Sequence, residues 1–213
     1  MAQSVAKPVE HLELGEREDI ELNSLGMWVY LASEIMFFGV LFTAYIVYRH
    51  AYPQVFAEAS KFLDTRIGSI NTLLLLSSSF TVALGVNATQ RGERRLSLML
   101  LAITVILGLG FLGLKFLEYS HEIENNLFPG GSFNYPGTNP DQAKLFFSLY
   151  FVMTGMHALH MVVGIAFVST VGFLTWQQWI TPQRYAPVEL AALFWHFVDI
   201  VWIFIFPLLY LVA

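Results

Sequence analysis

Five stretches of this chain are apolar for long enough to cross a bilayer, whose hydrocarbon core takes about 20 residues of helix. They run over residues 27–48, 67–88, 96–117, 145–176 and 190–212. Arg49 and His50 stop the first, and the basic "RGERR" at 91–95 stops the second. The fourth exceeds one bilayer thickness, so it is expected to tilt or to project beyond the lipid. Pro207 is placed to bend the last turns of the fifth. The pattern predicts an all-α integral membrane bundle of five transmembrane helices spanning residues 25–213, with a polar N-terminal arm at 1–24. No fixed-period repeat or low-complexity tract divides it further.

The arm is acidic, has no apolar segment of signal-peptide type, and offers Asn23 and Ser24 as helix caps. An odd number of spans puts the two ends on opposite sides. With the N-terminus inside, Lys7, Arg17, Arg91, Arg94, Arg95 and Arg184 fall inside, and Arg49, Lys61, Arg66, Lys115 and Lys144 outside. Three inner charges crowd one very short loop, where the positive-inside rule is strongest, and this favours N-inside. The segment at 121–144, rich in Pro, Gly and Asn, is then an outer loop of irregular turns.

Composition sharpens the membrane reading. Mean hydropathy is +0.58, and charged residues make up 13%, about half the usual share of a soluble protein. There are no cysteines, which excludes disulfides, thiolate-held iron–sulfur clusters and cysteine-dependent copper sites. The net charge of −5 comes with no dense basic stretch, so nucleic acid is not an expected partner.

Against this background the titratable groups inside the spans need a reason, because ionisable side chains are costly in lipid. They are Glu34, His157, His160, His196 and Asp199, with Glu118 near the end of the third span, close to Lys115. His157 and His160 share one helix face, as do His196 and Asp199 in the closing "ALFWHFVDIVWIFIFPLLYLVA". The favoured expectation is that these faces meet inside the bundle and hydrogen-bond, each contact contributing under about 1–2 kcal/mol. A zinc site would need three or four convergent ligands. A haem would need histidines above and below its ring, and only the fourth and fifth spans offer any. A small haem protein using His157 or His160 with His196, and a proton-coupled transporter using Glu34 and Asp199, therefore remain as alternatives. Glu34 itself reads equally as a neutral bonded carboxyl or as a group that meets protons or lipid headgroups. "GLGFLG" (Gly108, Gly110, Gly113) fits a dinucleotide fingerprint but lies within an apolar helix, where small residues serve close packing. "NAT" at 87–89 fits a glycosylation pattern at a predicted inner membrane edge and is set aside.

Five segments, in order, resemble subunit III of the haem–copper terminal oxidases, the cytochrome c and quinol oxidases. "WHFVDIVWIFIF" is similar to the signature of the family's last helix, and "FVMTGMHALHMVVG" to that of the helix before it. "FLEYSHE" resembles its Glu-Tyr pair. "GMWVYLASEIMFFGVLFTAY" carries its intramembrane glutamate at Glu34, and "INTLLLLSSSFTV" looks like its Asn-Thr helix start. The resemblance implies a subunit that binds no haem or copper itself, those groups residing in partner subunits. It implies packing on catalytic subunit I with subunit II, structural phospholipid, and support for proton uptake and durability in a bacterial inner (plasma) membrane. Cytochrome c, the donor of the commoner branch, is the first expectation for the complex and quinol the second. Carried over by position, Glu34, Glu118, His157, His160, Glu189, His196 and Asp199 form the polar skeleton, with no catalytic or metal-ligating residue among them. Larger members have seven helices, and this chain starts at the position of their third. The lipid cleft closed there by two more helices is expected to be open here or lined by another subunit. Basic residues before the last helix are sparse too: Trp176, Gln177, Gln178 and Trp179 stand there, with Arg184 nearby.

Overall fold

The structure, a computed structural model, describes residues 6–131, 133–137 and 139–212, with side chains from residue 25 onward. Its elements are α1 (Ala6–Ala51), α2 (Pro53–Ser60), α3 (Thr65–Gln90), α4 (Arg94–Glu124), α5 (Pro140–Trp176) and α6 (Ala186–Tyr210). No strand occurs among the described residues. Five helices are long and apolar enough to span a membrane: Leu25–Ala51 within α1, and α3, α4, α5 and α6. The all-α, five-span expectation holds.

The ends of the elements differ from the sequence reading in three places. Asn23 and Ser24 lie inside α1 rather than at its start, because the Glu- and Leu-rich arm favours helix and Pro8 sits in its first turns, where proline is tolerated. Whether that arm is solvated concerns side chains outside the described residues. The loop expected at 121–144 is shorter than that, since α4 runs on to Glu124 and α5 begins at Pro140. Asn71 and Thr72 lie within α3 rather than at its start, which Asp64 sets by accepting from the backbone N–H of Arg66 (2.8 Å) and Ile67 (3.3 Å).

Three helices close with the same turn. After α3, Gly92 adopts a φ of 77°, its N–H reaches the Thr89 carbonyl, and the Glu93 N–H reaches Ala88. Asn126 after α4 (φ 56°) and Gln178 after α5 (φ 66°) repeat the arrangement. This is the Schellman closure, in which a left-handed residue lets the orphan carbonyls of the last turn find donors. Arg94 adds a second closure: its guanidinium donates to the Thr175 carbonyl at 3.1 Å and to that of Trp176. A cation there also suits the negative end of the α5 dipole.

The chain divides into two units, one ending at Phe37 and one beginning at Phe38. In the first, Ser33 donates to the Tyr30 carbonyl at 2.6 Å. In the second, α6 is the most enclosed span. Trp195 fills a notch made by two glycines: a Cβ on Gly108 of α4 would lie 2.7 Å from its ring, and one on Gly164 of α5 3.2 Å. Its indole N–H donates to Ser78 Oγ at 3.0 Å, and that of Trp202 to Thr72 Oγ1 at 3.0 Å, tying α6 to α3. Thr81 meets Thr104 at 2.8 Å and Thr89 meets Ser97 at 2.7 Å between α3 and α4. Helices in lipid gain little from apolar burial against one another, so close packing at small residues and bonds of about 0.6 kcal/mol each hold them. Of the "GLGFLG" glycines, Gly108 is the close-approach position, while a Cβ on Gly113 would meet nothing within 4 Å.

Candidate functional site

A dense polar cluster lies toward the C-terminal end of α4. Lys115, Glu118 and Glu122 are spaced three and four residues apart and so share one helix face, and each is at most 3% exposed. Lys115 Nζ donates to Glu118 Oε2 at 3.0 Å, to the Tyr210 hydroxyl at 2.8 Å and to the Tyr150 hydroxyl at 3.3 Å. Glu118 Oε1 accepts from Tyr150 at 3.1 Å and from Tyr210 at 2.5 Å. The rings of Tyr119, Tyr150, Trp202 and Tyr210 surround the ammonium with centroids 5.0–5.5 Å away. Tyr150 comes from α5 and Tyr210 from α6, so one ion pair fastens three helices. A buried pair tolerates its desolvation only when the remaining donors and acceptors are met, and the two phenols meet those of Glu118. Tyr119 adds a hydroxyl contact to Thr154 of α5 at 2.5 Å.

Lys115, counted among the outer charges in the sequence, is therefore not a surface cation. Its side chain is enclosed by the bundle, which removes it from the outer charges of the orientation argument. The i, i+3, i+7 spacing of Lys115, Glu118 and Glu122 was visible in the sequence, but ending the helix at residue 117 hid it. Tyr150 and Tyr210 gave no comparable signal, because only packing brings them in.

The other expected polar residues do not bond to one another as pairs. His196 Nδ1 meets Ser79 Oγ on α3 at 2.6 Å, so it ties α6 to α3 rather than to the histidines of α5. Asp199 is buried beside Ser79. The Ser79 hydroxyl is turned to His196, however, and neither carboxylate oxygen of Asp199 has a hydrogen-bond partner among the described residues. His157 is fully buried against Phe111 (5.3 Å between ring centroids) and Trp202 (5.1 Å), with both ring nitrogens unbonded. His160 Nδ1 pairs with the Met156 carbonyl of its own helix at 2.8 Å, and its ring meets Phe38 at 5.3 Å. The physical reason is crowding: the aromatic side chains between α5 and α6 keep the two polar faces apart. A haem held between His157 or His160 and His196 would have to displace them. Among the described residues no three His, Asp or Glu side chains are grouped to hold a metal ion.

The last two expected residues sit elsewhere. Glu189, in the first turn of α6, accepts from Gln90 Nε2 at 3.0 Å at the end of α3. Glu34, half-buried in α1, interacts with the Tyr30 hydroxyl one turn before it. In the loop between α4 and α5, Tyr135 packs between Phe62 (5.4 Å) and Phe147 (6.4 Å). Burial, reinforced by the Glu58 carboxylate, raises its hydroxyl above the ordinary phenol range.

Comparison with known proteins bears on this arrangement. The family model described as cytochrome c oxidase subunit III matches residues 19–213. A quinol oxidase subunit 3 of Bacillus spizizenii is 31% identical, the alignment covering 96% of this chain and 98% of that one. A protein of the same name from Bacillus subtilis is 31% identical over the same shares. A probable quinol oxidase subunit 3 of Staphylococcus haemolyticus is 26% identical, over 91% of this chain and 90% of the other.

Proposed function

This chain belongs to the cytochrome c oxidase subunit III family, and on that premise we propose that it is the non-redox subunit of a proton-pumping terminal oxidase that passes electrons from quinol to O2. The observation that carries the reading is the family match across nearly the whole chain. As a member, the chain is an integral membrane subunit of a haem–copper oxidase complex, with catalytic subunits as partners. Haem and copper are assigned to those partners, subunit I and subunit II. The sequence expectation puts cytochrome c first as donor; the names of the relatives support quinol, and quinol is the donor taken here.

The role proposed for this chain is mechanical and protective. Its buried polar contacts hold four spans at fixed spacing, which gives the catalytic subunit a firm surface to pack against. Glu34 is assigned to proton uptake and endurance during turnover, and phospholipid to the surfaces the subunits leave open. The N-terminus is placed inside, in the cytoplasm of a bacterium. Arg91, Arg94 and Arg95 at the short junction between α3 and α4 support this, and the burial of Lys115 removes a charge that weighed against it.

The test compares the purified oxidase with and without this subunit under sustained quinol oxidation. The subunit-free enzyme should start at nearly the full rate and lose activity over fewer turnovers, with unchanged haem spectra. Loss of a haem band on removing this chain would contradict the non-redox role.

A further inference from the structure

A cleft of about 640 Å³ lies between the α2–α3 junction and the end of α4. Lys61 and Arg66 are exposed at its edge, Glu118 and Glu122 are buried at its base, and Phe62, Ile67 and Leu117 form an apolar wall. Not every polar group in it is partnered. Lys115 is committed to Glu118, Tyr150 and Tyr210, and Glu118 is committed in return to the same three. Asp64 uses its carboxylate to cap α3. His121 lines the cleft from an exposed position. Glu122 lines the same cleft, is 2% exposed, and its Oε2 has no hydrogen-bond partner among the described residues.

A buried, unbonded carboxyl oxygen beside a cavity is costly unless a donor reaches the carboxyl group from that cavity. The rim offers the opposite chemistry, two cations suited to an oxyanion. Leu117 is 62% exposed and continues the apolar wall onto the surface that a membrane-spanning helix turns to lipid.

We propose that this cleft binds a phosphate ester carrying a primary ammonium group, with the ammonium at Glu122, the phosphate at Lys61 and Arg66, and an acyl chain along Leu117. An ethanolamine-type lipid headgroup has that chemistry. An anionic glycerol headgroup would satisfy the rim but bring only neutral hydroxyls to Glu122, a weaker match than an ammonium. The proposal rests on the reading of the chain as a membrane-embedded oxidase subunit, and adds to it a place and a headgroup class.

The test uses the intact purified complex, stripped of lipid and titrated with spin-labelled phosphatidylethanolamine or phosphatidylglycerol. The wild type should hold phosphatidylethanolamine about tenfold more tightly, as one added charge-assisted hydrogen bond allows. Glu122→Gln should abolish that preference and leave phosphatidylglycerol binding unchanged. The double variant Lys61→Ala with Arg66→Ala, at exposed positions that do not endanger folding, should weaken both lipids. Displacement of the labelled lipid by an equal concentration of free phosphoethanolamine would support the headgroup chemistry and assign the site to the free ester. Equal retention of both lipids by the wild type, or an unchanged preference in Glu122→Gln, would overturn the site while leaving the subunit reading intact. A wild-type chain that purifies without oxidase partners would overturn the subunit reading on which the site rests.

Discussion

Replacing Lys115 with Met keeps the bulk of its stem and removes the one ammonium in the α4 cluster. Three hydrogen bonds go, to Glu118, Tyr150 and Tyr210, together with contacts to four aromatic rings. Glu118 is then a buried carboxylate with no counter-charge, and stranding one partner of a buried pair costs about 3–5 kcal/mol. Both tyrosine hydroxyls still donate to it, which argues for the lower end, about 3 kcal/mol. Pairing Lys115→Met with Glu118→Gln removes the stranded charge, so the double variant should cost less than the sum of the singles by about 1–3 kcal/mol. Unfolding in mixed micelles by titration with sodium dodecyl sulfate, followed by tryptophan fluorescence, reads this directly. Trp202 is a suitable reporter because its ring lies 5.3 Å from Lys115 Nζ. A cost below about 1 kcal/mol for Lys115→Met, or strict additivity in the double variant, would refute the claim that this pair fastens the bundle.

The same titration separates two glycines: Gly108→Ala should cost about 1–3 kcal/mol by driving a methyl into Trp195, whereas Gly113→Ala should stabilise by up to about 1 kcal/mol. His196→Leu should cost about 1 kcal/mol by stranding Ser79, while Asp199→Asn, whose oxygens meet no donor among the described residues, should be close to neutral. Neither change should alter the haem or copper spectra of the complex, and loss of a metal signal from a fully assembled complex would contradict the structural role. Glu34→Gln should leave assembly and electron transfer nearly intact and shorten endurance or slow proton uptake at high pH; Glu34→Leu should also impair assembly. Abolished steady-state activity in Glu34→Gln would make that residue a primary catalytic group instead.

Span number and type were legible because each of the five apolar runs is bounded by charge or by turn-forming residues. Helix ends were less legible. Gly92 announces a left-handed closure, but Asn126 and Gln178 close α4 and α5 in the same conformation with side chains that carry no such signal at Gln178. The polar skeleton was legible as a set of residue types and not as a set of bonds. A three-residue spacing puts His196 and Asp199 on one face of α6, yet it could not say that Ser79 would take the histidine and leave the aspartate unbonded. Glu118 was named with Lys115 as a neighbour, while the phenols that complete the cluster lie 32 and 92 residues away in sequence. Such partners follow from helix packing, which no periodicity within a single helix encodes.

The central proposal is that this subunit III of a haem–copper oxidase is non-redox and that its complex is driven by quinol. An affinity tag on the chain, gentle solubilisation and one purification step should yield a complex that contains haem and copper and consumes O2 with added quinol. Mild dissociation should then release this chain without any Soret absorption. A chain that purifies alone, that carries haem after dissociation, or whose complex oxidises cytochrome c and not quinol would contradict the account, the first two in its core and the last in its electron donor.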